Sequence, residues 1–420
     1  MRGAPWLTRT VLAWTLYDFG NSAFAAIVQA TIFPAYYANV VVGNAEGRGD
    51  FWWGLAVSTS MVLVAVASPL LGGIADHAGI RKPFLVWLTV AAVAATAALA
   101  TVAPGRVAWG FALVVIGIVT FEAALVHYNA YLPGIAPATT LGRVSATGFA
   151  VGYAGSLVAF AAAFPFAAAQ AYWACFLVAA ALFGGFALPA FVALPADARR
   201  TVAVGRAVAR GVGDTLATLR EIIQAPARRA MRRFLLAYLV YEDGVNTVIA
   251  FSAVFAGKTL GFSFTEILAL FMVVQVTALA GSAAWARTTD RRGPKLVVGV
   301  TLVQWIAVTL LAFFVDAKWQ FWVIAVLAGT GLGAIQAASR TFMATLIPSG
   351  REAEFFGFFA LVGKTGAILG PVVFGGVSRA LGGNQRAAIV AVGLFFAVGL
   401  GLLARVPAGG PTGTAPAAPR

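Results

Sequence analysis

Gly72-Gly73-Ile74-Ala75-Asp76-His77-Ala78-Gly79-Ile80-Arg81-Lys82 closes one long apolar stretch and opens the next. Far along the chain, Asp290-Arg291-Arg292-Gly293-Pro294-Lys295 does the same. Each passage sets a carboxylate, a glycine and basic residues between segments too apolar for water. Glycine permits a tight reversal of the chain, and Lys and Arg flanking apolar spans mark the cytoplasmic side of a membrane. The same punctuation twice in one chain points to an internal repeat.

Working outward, the sequence divides into runs of mostly apolar residues, each near the roughly 20 that a helix needs to cross hydrocarbon. They fall near 10–42, 51–75, 83–103, 107–133, 143–168 and 170–194, then near 231–257, 264–287, 295–316, 318–347, 352–380 and 384–406. Barrel strands would alternate every second residue, and these runs do not. Of the 420 residues 61% are hydrophobic and only 10% charged, against about a quarter charged in soluble proteins, and the mean hydropathy is +0.89. The expected fold is an all-α membrane protein of twelve transmembrane helices in two six-helix pseudo-repeats. The single cysteine, Cys175, excludes a disulfide framework, and His77 and His127 leave little for metal ligation; no metal or cofactor is expected.

The organisation follows from charge. Residues 1–194 and 231–406 form two apolar halves, residues 195–230 a basic connector, and residues 407–420 a Pro/Gly/Ala-rich tail expected to be disordered. Within the connector, Val202 to Ile223 has the spacing of an amphipathic helix suited to a membrane surface. With the N-terminus inside, the outer side holds Arg48, Arg106, Lys258, Lys318, Arg379 and Arg386, while Lys364 lies within a span. The other basic residues of the 29 fall on the cytoplasmic side, so both termini are expected there, in a cell membrane. The net charge of +14 then meets anionic lipid headgroups rather than nucleic acid. Asp18 within the first apolar stretch speaks against a cleaved signal peptide.

Charged groups inside a bilayer are costly and usually face the bundle interior. Asp18, Glu122, Glu242, Asp243, Arg340 and Lys364 are of this kind. On the first span Asp18, Asn21, Ser22 and Gln29 share one helical stripe, and on the fourth Glu122 and Asn129 share a face. Tyr17-Asp18-Phe19-Gly20-Asn21-Ser22 is echoed by Tyr241-Glu242-Asp243-Gly244-Val245-Asn246-Thr247 at the same depth of the seventh. Polar groups of this sort line a pathway or bond helices together. For Asn21, Ser22, Asn246 and Thr247 the two readings weigh equally; for Asp18 and Lys364 the pathway is favoured, with an Asp18–Lys364 pair as the structural alternative. His127, off the Glu122 face, is read as a satisfied core or interfacial residue. Gly329/Gly333 and Gly366/Gly370 offer smooth faces for close packing.

Gly72-x-x-x-Asp76-x-x-Gly79 followed by Arg81 and Lys82, between two six-helix halves, resembles the major facilitator superfamily across roughly residues 10–406. Ile80 stands where that motif has a basic residue, and Ala286 replaces the first glycine of the second copy. Within the superfamily, Tyr17-Asp18, Asn21-Ser22, Gln336, Ser339-Arg340, Pro348, Glu354-Phe355-Phe356-Gly357-Phe358, Gly363-Lys364 and Leu369-Gly370-Pro371 are similar to the group containing the yeast autophagy-related vacuolar amino-acid effluxer and its bacterial relatives. The resemblance implies a secondary transporter working by alternating access, and efflux of neutral amino acids.

The residues expected along the substrate or coupling pathway are Asp18, Asn21, Ser22, Gln29, Glu122, Asn129, Asp243, Asn246, Gln336, Arg340 and Lys364. Those expected at a cytoplasmic gate are Gly72, Asp76, Gly79, Arg81, Asp290 and Gly293, with Asp76 capping a helix or accepting from a neighbouring basic residue. Asp18 and Glu122 are the candidates for a coupled proton. The expected partners are a small-molecule substrate and membrane lipid, with the chain acting as a monomer. No phosphate-binding loop and no intramembrane catalytic constellation is present, so an enzyme is not expected. A receptor or lipid scramblase on the same fold is the rival reading.

Overall fold

The structure, a computed structural model, describes residues 6–197, 202–366 and 369–407; nearly all of the expected tail lies outside them. Among the described residues every regular element is helical, and twelve helices are long and apolar enough to cross a membrane. They are α1 (Arg9–Val42), α2 (Ala45–Ala78), α3 (Arg81–Thr101), α4 (Val107–Ile135), α5 (Leu141–Ala168), α6 (Tyr172–Ala193), α7 (Pro226–Leu260), α8 (Thr265–Arg292), α9 (Pro294–Phe314), α10 (Lys318–Leu346), α11 (Glu352–Ala380) and α12 (Gln385–Ala404). Their outer flanks carry exposed Val62, Val66, Trp87, Leu188, Val192 and Leu394, side chains suited to lipid.

The ends differ from the sequence expectation in one consistent way. The chain stays helical up to the first glycine able to take positive φ, Gly79 at +63° and Gly293 at +86°. Asp76 and Asp290 therefore sit in the last turns of α2 and α8 rather than in the reversals that follow. Gly79 closes α2 as a left-handed cap, its N–H donating to Ala75 O, the common way to end a helix. These two turns, both chain ends of the described bundle and the connector share one face, called here the basic face.

The connector forms a helix over Val204–Gln224. It packs on α2 through Gly211, which meets Leu70 and Ile74, and leaves Val208, Val212, Leu216 and Ile223 exposed. Contact between the two sets of six helices runs through α2 against α11 and α5 against α8. In the first of these seams the backbones nearly touch: a Cβ on Gly72 would collide with the Ala353 carbonyl, and one on Gly357 with Ser68 O and Pro69. Of the expected smooth faces, Gly333 meets the backbone of Ala278 on α8, while Gly366 and Gly370 face Leu239 and Thr247 on α7.

Among the described residues one span departs clearly from regular helix. In α1 the residues Ala25–Ala30 and Tyr37–Val42 are π-helical, a conformation concentrated at functional sites. In α11 two helical pieces are described, Glu352–Thr365 and Leu369–Ala380.

Candidate functional site

A cavity of about 910 Å3 lies between the two sets of helices, within the size range of small-molecule sites. Asp18, Asn21, Ser22, Gln29, Glu122, Asn129, Gln336, Arg340 and Lys364 all line it. The π segment of α1 contributes Ala25, Ala26, Gln29 and Ala30 to the same wall. Asp243 and Asn246 are not among the lining residues. Instead the Asp243 carboxylate accepts from Gly370 N with both oxygens at 2.9 Å, capping the outer piece of α11.

Two ion pairs cross the cavity between the halves. Arg340 on α10 donates to Asp18 Oδ2 and Asn129 Oδ1, both at 3.3 Å, and to Ser145 O at 2.6 Å. Its guanidinium also lies 4.1 Å from the Phe149 ring and 4.8 Å from Trp14. Asn21 Nδ2 donates to Asp18 Oδ1 at 3.2 Å and holds that carboxylate in place. Lys364 on α11 donates to Glu122 Oε1 at 2.6 Å. The alternative of an Asp18–Lys364 pair is therefore not the pairing adopted. Gly148 explains the exchange: a Cβ there would meet Arg340 Nη2 and Asp18 Oδ2, each at 2.8 Å, so only a glycine lets Arg340 through to α1.

The pairs differ in wetness. The Arg340 side chain is 5% exposed and that of Lys364 32%. A buried pair breaks only at a cost of several kcal/mol, so Arg340–Asp18 is suited to holding the halves together. Lys364 can exchange its partner for a group arriving in the cavity.

The basic face is closed by two contacts that mirror each other. Asp76 accepts from Arg81 Nη2 at 2.8 Å and from Glu354 N, in the first turn of α11, at 2.8 Å; Arg81 also reaches Glu352 at 2.7 Å. Asp290 accepts from Gly142 N, in the first turn of α5, at 2.7 Å, and from Arg143 Nε at 2.5 Å. In each a carboxylate at one helix end meets the N-terminus of a helix in the other half, where backbone N–H groups and the helix dipole favour negative charge. The connector braces the first contact: Arg351 bridges Glu221 and Glu354 at 2.7 and 2.8 Å, and Thr218 donates to Glu354. Partial burial pushes the Glu221 carboxyl up, but hydrogen bonds from Arg351 and Arg228 outweigh it and hold it below its ordinary range.

Residues 54–409 match the family described as vacuole effluxer Atg22-like. A protein of Bacillus subtilis (strain 168), the uncharacterized MFS-type transporter YxiO, is 30% identical over 415 residues, covering 95% of each chain. The chain belongs to the Atg22-like family. The match to a fungal member is partial: autophagy-related protein 22 of Coccidioides immitis (strain RS) is 25% identical over 178 residues, 39% of this chain and 30% of that protein. In fold, the human organic anion transporter MFSD10 (TETRAN) is similar with a TM-score of 0.77 at 17% identity, over 95% of this chain and all of that one. The proton:xylose symporter XylE follows at 0.71 and 14%, over 95% of each chain. This Atg22-like chain is thus a multi-pass membrane protein with the fold of major facilitator transporters.

Several contacts of this member escape a reading of its sequence. Glu242, buried beside the cavity, accepts from Gln336 Nε2 at 3.0 Å. Arg143, Glu352, Arg351 and Thr218 complete the closed face, and Trp14, Tyr128 and Phe149 surround Arg340. The one usable signal was that α5 and α11 occupy equivalent places in the repeat, so the partner of Asp76 on α11 predicts one for Asp290 on α5. His127 is fully buried, but neither ring nitrogen has a hydrogen-bond partner; its ring packs edge-on against Phe84. The expectation of a satisfied histidine is corrected accordingly: the apolar surroundings offer contact without an acceptor.

Proposed function

We propose that the protein is a secondary transporter that exports small zwitterions, neutral amino acids such as leucine, isoleucine or tyrosine, by alternating access across the cell membrane. The observation that carries this reading is the pair of ion bridges, Asp18–Arg340 and Glu122–Lys364, spanning a cavity that one face of the bundle seals. A substrate carboxylate replaces Glu122 on the wetter Lys364, and its ammonium meets a carboxylate of the cavity wall. An apolar substrate would strand these groups without partners, which is costly. The relatives, an effluxer family and an MFS-type transporter, favour the same direction.

In this reading the halves are residues 1–194 and 231–406, and the basic face is cytoplasmic. The state described is then closed to the cytoplasm, with Gly72, Asp76, Gly79, Arg81, Asp290 and Gly293 as its gate. Rocking the halves breaks the Asp76–Glu354 and Asp290–Gly142 contacts, opens the cytoplasmic face and closes the opposite one. The protein works as a monomer among anionic lipids.

Purified protein in proteoliposomes, preloaded with a neutral amino acid and given the same labelled amino acid outside, is expected to show counterflow. Absence of counterflow across a panel of labelled amino acids rejects the substrate class. Lipid-label movement without solute flux would favour a scramblase.

A further inference from the structure

We propose that Glu242 carries the proton coupled to transport, in place of Asp18 or Glu122. The inference deepens the transporter reading and rests on it. Four carboxylates lie at or beside the cavity. Asp18 faces Arg340 and Glu122 faces Lys364 within salt-bridge distance, so each has a cation beside it. Asp243 is held by the N-terminus of the outer α11 piece, a position that favours an anion. Glu242 has neither. It is 7% exposed, and its only hydrogen bond among the described residues is from Gln336 Nε2 at 3.0 Å.

The groups facing Glu242 are mostly neutral. α10 presents Gln336, and Ser339, whose hydroxyl is bonded to Tyr241 OH at 2.7 Å. From α11, Lys364 is close enough to be felt as a charge but is bonded to Glu122. α12 places Phe395 and Phe396 against Gly244, on the same helix as Glu242. Tyr238 and Tyr153 are the remaining polar neighbours that sense the carboxylate. An anion in that setting lacks the compensation its three counterparts have, and neutralising it lowers the cost of closing the cavity around it.

Two species can neutralise it. A proton from water adds to one oxygen, forming O–H and removing one negative charge; the acid then donates to Gln336 Oε1 after the amide turns over. A substrate ammonium can instead form an ion pair with the carboxylate, and the proton leaves to water. Since Gln336 both lines the cavity and holds Glu242, swinging its side chain away exposes the carboxylate to the cavity. Proton and ammonium are alternatives on one group, so the coupling is an exchange: one enters as the other leaves.

The test uses the full-length protein in lipid nanodiscs and infrared difference spectra recorded across a pH titration. The carboxylic-acid C=O band that appears on acidification is expected to be lost in Glu242→Gln and kept in Glu122→Gln and Asp18→Asn; Glu242→Asp, the conservative variant, is expected to keep a shifted band. A band that survives Glu242→Gln, or that disappears in Glu122→Gln or Asp18→Asn instead, overturns the assignment, as does the absence of any titrating band. A second arm adds leucine to lightly buffered wild-type protein at fixed pH, where proton release is expected. If no proton is released yet the band depends on Glu242, the substrate class falls and the proton site stands.

Discussion

Replacing Asp76 by alanine tests whether the sealed basic face is one arm of a conformational equilibrium. The carboxylate is 1% exposed and has two donors, Arg81 and Glu354 N. Arg81 belongs to the same half as Asp76 and moves with it, so that bond persists in both conformers. The Glu354 N–H lies in the other half, and only this bond is lost when the face opens. A hydrogen bond to a charged group is worth about 1.5–3 kcal/mol, and the helix-terminus interaction adds about 0.3–1 kcal/mol. The sealed state should therefore lose about 2–4 kcal/mol, which is a shift of about 30- to 800-fold in the equilibrium. Asp290→Ala removes contacts that all cross between halves, Gly142 N, Arg143 N and Arg143 Nε, and should shift it at least as far. Spin labels at exposed Ala138 and Ser349 on the basic face, and at Ala103 and Leu381 opposite, report the distances by pulsed resonance. The first pair is expected to separate and the second to approach, with the two substitutions adding because they share no partner. Unchanged distance distributions in both variants would refute the assignment of these turns as a gate.

Lys364→Met is expected to cut the initial rate of leucine counterflow at least about tenfold, a loss of about 1.4 kcal/mol, and Glu122→Gln with Lys364→Met should not restore it; recovery in the double variant would make the pair merely structural. Asp18→Asn should likewise not compensate Lys364→Met, since the two residues belong to different pairs. In a Cys175→Ala background, a single cysteine at exposed position 205 is expected to resist impermeant thiol reagents in intact cells while one at 103 reacts, and rapid labelling at 205 would invert the topology. Glu221→Gln should shift the gate equilibrium by only about 0.2–1 kcal/mol, the range of exposed pairs. Because the folded protein holds the Glu221 carboxyl below its ordinary range, this contribution is present above that range and lost as pH falls through it; an effect that grows on acidification would contradict the pairing with Arg351.

The twelve spans were legible because an apolar run of bilayer length is a one-dimensional signal,. So were the polar stripes on α1 and α4, since helical spacing alone puts Asp18, Asn21 and Ser22 together. Partner choice was not legible. Which cation meets Asp18 depends on how the halves dock, and the deciding residue is a glycine, Gly148, with no charge to draw attention. The π segment at Ala25–Ala30 was equally silent, because its alanines and aliphatics suit an ordinary helix. Its end is marked by Thr31, whose hydroxyl donates to Ala26 O at 2.6 Å, a bond visible only in three dimensions. Glu242 stands out in the sequence as an intramembrane charge, but its setting does not, because adjacent carboxylates on one helix look alike until one finds a helix terminus and the other an amide.

The bond from Gly370 to Asp243 also sets which neighbour the far end of α11 answers to. In α11 the amide of Gly370 is answered by a carboxylate on α7, so the outer piece takes its bearing from α7. The inner piece takes its bearing from α2, through Gly72 and Gly357. One span thus reports to two different masters, and Lys364 stands near the border between them. The far end of α11 is tied to its own half and the near end to the opposite one.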